Sequence, residues 1–399
     1  MKTALLLCAS HNDLYLIRSL RKLGYRIIVT GNVPGQPGER LTDLYIQADY
    51  SDKEAILAIA VQEHVDALVQ CCNDYGVYTA SWVAERLGLP GYDSFETTLL
   101  LHNKDKFKRF ALDNGIYTVP SFYFDDQEEA ILWFESLGDC YETDYPLIVK
   151  PVDCSAGNGI QRLDGIQDVR EAVENAFNKS KEGRIVVERF LKGTQHGFCS
   201  FLKNRKVVAY CSNNEYSFLN PYRVEIDTWP ADNETVMAPI LIDQIEKMAA
   251  KLNLTDGIFH LQYIVENGKP YIIEVMRRIA GNMYGVPAGM VTGFDWDYWE
   301  TRARCGLSLE CLPRNIFREG YFAYKTILAP SDGIISSIHI PSRYDPYLWD
   351  KFLLKKEGDL ILRHTSEPIG FLFLMFSSSE EMRTFLIEEY SNDCVKMQE

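Results

Sequence analysis

The stretch Phe259-His260-Leu261-Gln262-Tyr263-Ile264-Val265-Glu266-Asn267-Gly268-Lys269-Pro270-Tyr271-Ile272-Ile273-Glu274-Val275-Met276 reads as a β-hairpin. Two runs rich in β-branched and aromatic residues, 259–265 and 271–276, flank an Asn-Gly pair, the dipeptide that best accepts the left-handed backbone of a tight turn. Pairing about that turn brings Gln262 and Glu274 to one face of the sheet. A carboxylate and an amide oxygen projecting together are hard oxygen donors, suited to a phosphate-bound Mg²⁺ or Mn²⁺. Taken in isolation, the pair is more simply a polar contact on a wet sheet face. Its neighbours decide its meaning.

Immediately downstream stands Arg277-Arg278-Ile279-Ala280-Gly281-Asn282. Arg278 is placed to neutralise charge that builds during phosphoryl transfer. Arg277, Gly281, Asn282 and Tyr284 are the candidates for a substrate pocket, with Arg304 weaker. Arg277 is the expected holder of a substrate carboxylate, because a guanidinium binds one bidentately; a salt bridge to a surface acid explains it equally well.

Upstream, Ile148-Val149-Lys150-Pro151 is a strand ending in a lysine. It runs into Cys154-Ser155-Ala156-Gly157-Asn158-Gly159-Ile160. Backbone N–H groups of such a loop, here Ser155, Gly157, Asn158 and Gly159, can wrap phosphates while Lys150 supplies a point charge. A plain surface turn with a solvated lysine is the competing account. Cys154 carries no sign of activation and reads as a small loop residue. Asn103-Lys104 opens a helix closing at Gly115. Val186-Val187-Glu188-Arg189-Phe190-Leu191 is an extended edge beside apolar residues, fit to read an adenine ring through its backbone, with Glu188 or Gln195 meeting the exocyclic amine or the ribose hydroxyls.

At the amino terminus the pattern is strand-helix alternation. Residues 4–8 (ALLLC) form a short apolar run, then Leu14, Ile17, Leu20 and Leu23 recur at helical spacing, then 26–30 (RIIVT) form a second strand. Helices at 53–65 and 76–87 enclose a third strand at 67–70. This predicts a doubly wound parallel sheet. The residues after the first strand are Ala9-Ser10-His11-Asn12, with no GxGxxG, so a nicotinamide-dependent oxidoreductase starts at a disadvantage. The remaining strands and helices predict an α+β core over the middle of the chain.

Taken in chain order, the four segments resemble the ATP-grasp family, and the likeness spans nearly the whole chain. It implies a Rossmann-like preATP-grasp domain over residues 1–100, an ATP-grasp core over 101–314 with its central lobe at about 121–195, and a carboxy-terminal region over 315–399 that completes the substrate site. The Gln262 to Glu274 interval resembles biotin carboxylase and carbamoyl phosphate synthase, and Gln at 262 resembles the latter. By that resemblance Lys104 and Lys150 bind phosphates, Glu188 and the 189–191 backbone hold adenine, Gln195 takes the ribose position, Gln262 and Glu274 hold the metal, and Arg278 and Lys150 serve the transfer. The family chemistry activates a small carboxylate as an acylphosphate for attack by an amine. The sequence departs from it once in a telling place: the closing motif usually reads Glu-x-Asn-x-Arg, and here Met276 stands for Asn. That leaves open a nucleotide-binding protein without turnover, or a different bond formed.

Composition bounds the partners. The chain has 399 residues and a formal net charge of -15, from 41 Lys and Arg against 56 Asp and Glu. A field of that sign disfavours nucleic acid and anionic membrane, and no apolar run approaches a membrane span. Ten cysteines without a CxxC pair or a His cluster read as reduced thiols of a cytoplasmic protein. His11, His102, His196 and His260 are isolated, and a structural role is the expectation for each. Relatives of this kind are commonly homodimers.

Overall fold

The apolar run at the amino terminus becomes strand β1 (Thr3–Leu6), with Leu5 and Leu6 fully excluded from solvent. It lies between the parallel strands β2 (Arg26–Gly31) and β4 (Ala67–Val69), and β3 (Leu44–Gln47), absent from the sequence expectation, covers the far side of β2. β3 is short and only half-buried, so its apolar signal is weak. Helices α1 (Leu14–Lys22), α2 (Lys53–Gln62) and α3 (Asp74–Leu87) connect and flank these strands. Burial on both faces is what makes β1 a continuous hydrophobic run rather than an alternating one. The computed structural model describes residues 1–137, 146–154, 157–313 and 316–398.

After α4 (Phe95–His102) and α5 (Lys104–Asp113) comes a second, antiparallel sheet. It orders β5 (Ser121–Phe124), β8 (Ile185–Arg189), β6 (Leu147–Pro151) and β7 (Gln161–Leu163), with α6 (Gln127–Ser136) and α7 (Val169–Lys179) packed on it. The third sheet is the largest, with eight antiparallel strands. β9 (Thr194–Lys203), β10 (Lys206–Tyr216) and β11 (Ile226–Trp229) precede α8 (Glu234–Lys251), and the hairpin β12 (Gly257–Glu266) and β13 (Lys269–Met276) closes one edge. α8 continues through Pro239, which it carries inside its second turn.

Beyond α9 (Gly285–Thr292) and α10 (Trp296–Arg304), the strands β14 (Tyr321–Ile327), β15 (Gly333–Ile338), β16 (Leu348–Leu353), β17 (Leu360–Ile361), β18 (Gly370–Phe376) and β19 (Val395–Met397) complete the chain. β14, β18 and β16 continue the large sheet beside β11, so the carboxy-terminal strands share the sheet that carries the hairpin. Near the carboxy terminus a short α-turn at 379–383 widens into a π-turn. Among the described residues no helix is long and apolar enough to cross a membrane.

Candidate active site

The hairpin is where the sequence reading placed it. Asn267 and Gly268 both take positive φ, 52° and 75°, as a tight turn between right-twisted strands requires. The register sets Gln262 opposite Glu274. Both line a cleft of about 780 Å³ whose walls come from the amino-terminal part and from both antiparallel sheets. Gln262 donates from Nε2 to Glu215 Oε2 at 2.7 Å, and Gln195 donates to the same oxygen at 2.7 Å. The amide of Gln262 is thereby oriented with its Oε1 left as an acceptor. Hard oxygens at Gln262 and Glu274 suit Mg²⁺, whereas Met276, which also lines the cleft opposite His260, offers a thioether that does not.

The lysines meet from two elements. β6 and β8 run antiparallel, which sets Ile148 opposite Glu188 and brings Lys150 Nζ to 2.9 Å from Glu188 Oε2. Lys108, one turn after Lys104 on α5, reaches the other oxygen of Glu188 at 3.2 Å, and Ser121 Oγ donates to it at 3.1 Å. Burial pushes the Glu188 carboxyl up, but Lys108 and then Lys150 outweigh it and hold it at about 2. One carboxylate cannot neutralise two buried ammonium groups. Burial therefore brings Lys108 down to about 8 despite Glu188, with Lys150 adding to the fall. Lys104 stands apart from this triad, 3.1 Å from Glu274 Oε1, and also donates to the Cys154 carbonyl.

The structure corrects the part expected of Glu188. Its carboxylate is committed to Lys108, Lys150 and Ser121, so an adenine ring would meet the backbone and side chains of residues 189–191 instead. Arg189, Phe190 and Leu191 do line the cleft, with the Arg189 guanidinium turned out to Glu266 at 2.8 Å. Gln195 lines it too, engaged with Glu215. In the Gly-rich loop, Cys154 and Gly157 face the cleft, but Asn158 is exposed and Gly159 rests on Pro151 and Lys179. Ser155 lies outside the described residues. Burial and Asp153 raise the Cys154 thiol, which fits an unactivated loop residue.

Arg278 lines the cleft as expected, gripped in two-pronged fashion by Asp74 at 2.7 and 3.1 Å. Asp74 sits in the first turn of α3, 3.3 Å from His102, so the amino-terminal helices position the arginine. Arg277 is a second correction. It is buried, with Asp93 at 2.8 Å and the carbonyls of Thr255 and Ile258 taking its remaining donors, and it is not among the cleft residues. Alternation continued past the end of β13 explains this: 276 and 278 face the cleft, whereas the 277 guanidinium faces Asp93 and the 255–258 backbone. Arg304 is likewise spent on Glu300. Gly281, Asn282 and Tyr284 do line the cleft; Asn282 donates to Tyr324 at 3.3 Å and Tyr284 to Asn213 at 2.7 Å.

Sequence reading missed Asp74, Lys108, Glu215, Asp227 and Tyr324. Only Lys108 carried a local signal, the helical i+4 spacing from Lys104. Glu215 and Asp227 face each other across β10 and β11, and Asn213 donates to Asp227 at 2.9 Å. Burial raises both carboxyls; for Glu215 its amide partners pull back only partly, and for Asp227 the neighbouring Glu215 adds to the rise. His260 is buried and cleft-lining, its Nδ1 unpartnered among the described residues, and burial together with Arg278 keeps it neutral with a pKa of about 3.

Residues 103–312, just over half of the chain, match the family described as the carbamoyl-phosphate synthase L chain, ATP binding domain. The chain is 26% identical over 184 residues to the formate-dependent phosphoribosylglycinamide formyltransferase of Paraburkholderia xenovorans, covering 44% of this chain and 43% of that protein. It thus spans less than half the length of that curated relative. The L-amino acid ligase of Bacillus licheniformis superposes over 100% of this chain and 99% of its own with a TM-score of 0.79 at 19% identity. The biotin carboxylase domain dimer of Hydrogenobacter thermophilus 2-oxoglutarate carboxylase, solved with MgADP, ADP and bicarbonate, gives 0.77 at 19% identity over 99% of this chain and 92% of its own. At such identities the structural likeness is one of fold, and that fold is ATP-grasp. With its lysines, hairpin oxygens and arginine gathered in one cleft, the chain belongs to the family of the carbamoyl-phosphate synthase L chain ATP-binding domain.

Proposed function

We propose that the protein is an ATP- and Mg²⁺-dependent ligase that activates a small carboxylate, such as an amino acid, as an acylphosphate and joins it to an amine. The observation that carries this reading is convergence. Lys104, Lys150 and the hairpin group Gln262, Glu274 and Arg278 come from three separated segments and line one cleft. A carboxylate oxygen would attack the γ-phosphorus of ATP, the bond to the β,γ-bridging oxygen would break, and ADP would leave. The amine would then displace phosphate from the acyl carbon. Lys104 and Lys150 would bind the phosphates, and Arg278, held by Asp74, would meet charge as the phosphoryl group moves. Gln262 and Glu274 would hold Mg²⁺, which supplies charge neutralisation at the phosphates; Mn²⁺ accepts the same ligands.

The same proposal includes a homodimer, the state in which the 2-oxoglutarate carboxylase domain was solved, and a cytoplasmic location, where the cysteines stay reduced. Incubation with ATP, Mg²⁺ and an amino-acid library, assayed for ADP and phosphate, tests the reading. Turnover is expected with some acid–amine pair. Nucleotide binding without turnover under every mix would favour a second reading, a nucleotide-binding protein that has lost catalysis, for which Met276 in the cleft is the supporting observation.

A further inference from the structure

Six arginine and lysine side chains line the cleft among the described residues, and five of them are already neutralised. Lys104 meets Glu274, Lys150 meets Glu188, Arg162 meets Asp164, Arg189 meets Glu266 and Arg278 meets Asp74. The sixth, Arg223, has neither an ion pair nor a side-chain hydrogen bond among the described residues; only its backbone N–H is engaged, by the Asn220 carbonyl at 3.0 Å. It is partly buried in the loop between β10 and β11. The acid nearest in sequence, Glu225, is committed elsewhere: it accepts from the Phe218 and Leu219 amides at 2.9 and 2.5 Å and from the Tyr390 hydroxyl at 2.9 Å.

A half-buried guanidinium without a counter-charge is costly to hold unless a ligand completes it. Burial pulls the Arg223 pKa down; Tyr324 opposes that fall and the Arg363 charge adds to it. The charged groups that act on Arg223 are Arg363 and Glu225, with the neutral Tyr324 hydroxyl beside them. Its loop also faces the Gly-rich segment, because Tyr222 packs against Gly157 and accepts the Arg162 amide at 2.9 Å. Two residues on, the Glu225 carbonyl accepts the Thr326 amide of β14 at 2.7 Å, so Arg223 lies where the Gly-rich segment meets the β14 edge that carries Tyr324.

We propose that Arg223 anchors an anionic group, a carboxylate or a phosphate that the reaction leaves untouched, on the substrate other than ATP. The substrate class follows: an acid with a second anionic group, or an amine that carries one anionic group, such as an amino acid or a phosphorylated amine. This rests on the ligase reading for its chemistry but not for its test. The protein is saturated with a non-hydrolysable ATP analogue and Mg²⁺, then titrated calorimetrically with inorganic phosphate and, separately, acetate. Binding of at least one ion is expected, weakened at least about tenfold in Arg223→Ala and less in Arg223→Lys, the scale for losing a hydrogen-bonded charge. The tighter ion identifies the anion chemistry. Equal binding in wild type and Arg223→Ala, binding of neither ion, or a tenfold loss of affinity for the ATP analogue in Arg223→Ala would each overturn the proposal. Arg223-dependent anion binding with no ADP release from any carboxylate would instead count against the ligase reading alone.

Discussion

Glu188 and Asp227 are both buried carboxylates at the cleft, about equally hidden from solvent, and they behave in opposite ways. Lys108 and Lys150 close on Glu188 and hold it ionised. Asp227 faces Glu215 across a strand pair, and burial with that neighbour raises it. Burial sets the stake in each case, and the charge next door sets the sign. The lysine end of the cleft is a charged triad with one ammonium in excess, which suits the polyanion of the proposed reaction. The acid end is a hydrogen-bonded floor whose carboxyls burial holds towards their neutral forms.

The largest break in that contrast is Glu188→Gln, which leaves two buried ammonium groups without their carboxylate. It should cost about 3–5 kcal/mol of stability in denaturant unfolding, as for other broken buried pairs; unchanged stability would mean the triad is not a charged unit. Next comes chemistry. Lys150→Ala and Glu274→Ala should each lower ADP release about 100-fold or more, the scale of removing one preorganised electrostatic contact, and full activity in either would remove that residue from the site. Asp227→Asn is the mirror experiment, since Asp227 already leans towards its neutral form, and it should cost less than about 1 kcal/mol.

The pH dependence separates the two ends further. Glu188 is lowered in the fold, so its contribution is present above its ordinary value of 4.5 and is lost as pH falls towards about 2. Asp227 is raised, so its contribution is present below 3.8 and is lost as pH rises through its folded value. Stability curves of wild type minus each variant should therefore slope in opposite directions; parallel slopes would erase the contrast. The smallest expected effect is Met276→Asn, which adds a hard oxygen beside Gln262 and Glu274. It should lower the Mg²⁺ concentration for half-maximal activity by about two- to tenfold, and no change would show that position 276 does not face the metal.

The legible parts of the site were those with local chemistry. Asn267-Gly268 gave the register, and the register gave Gln262 opposite Glu274. Lys150 was readable because an apolar strand led to it and glycines followed. Arg277 was misjudged because Arg-Arg offers two guanidinium groups and only strand alternation assigns one to the cleft. Glu188 was misjudged because its partner Lys108 lies 80 residues away, where no motif points. Arg223, Asp74, Glu215 and Asp227 carry no local signal at all, since their meaning depends on which other charges they do or do not meet.

By itself, the sequence determined the alternation of strands and helices and the hairpin, and it singled out Lys104, Lys150 and Arg278 as cleft cations, because periodicity, turn chemistry and charge act over a few residues. It also determined that any anion site had to be local, in a chain of net charge -15. The tertiary structure alone decided which charges are neutralised. Pairing depends on distances between segments far apart in the chain, and a Coulomb interaction between buried groups is set by those distances and by the water removed from around them.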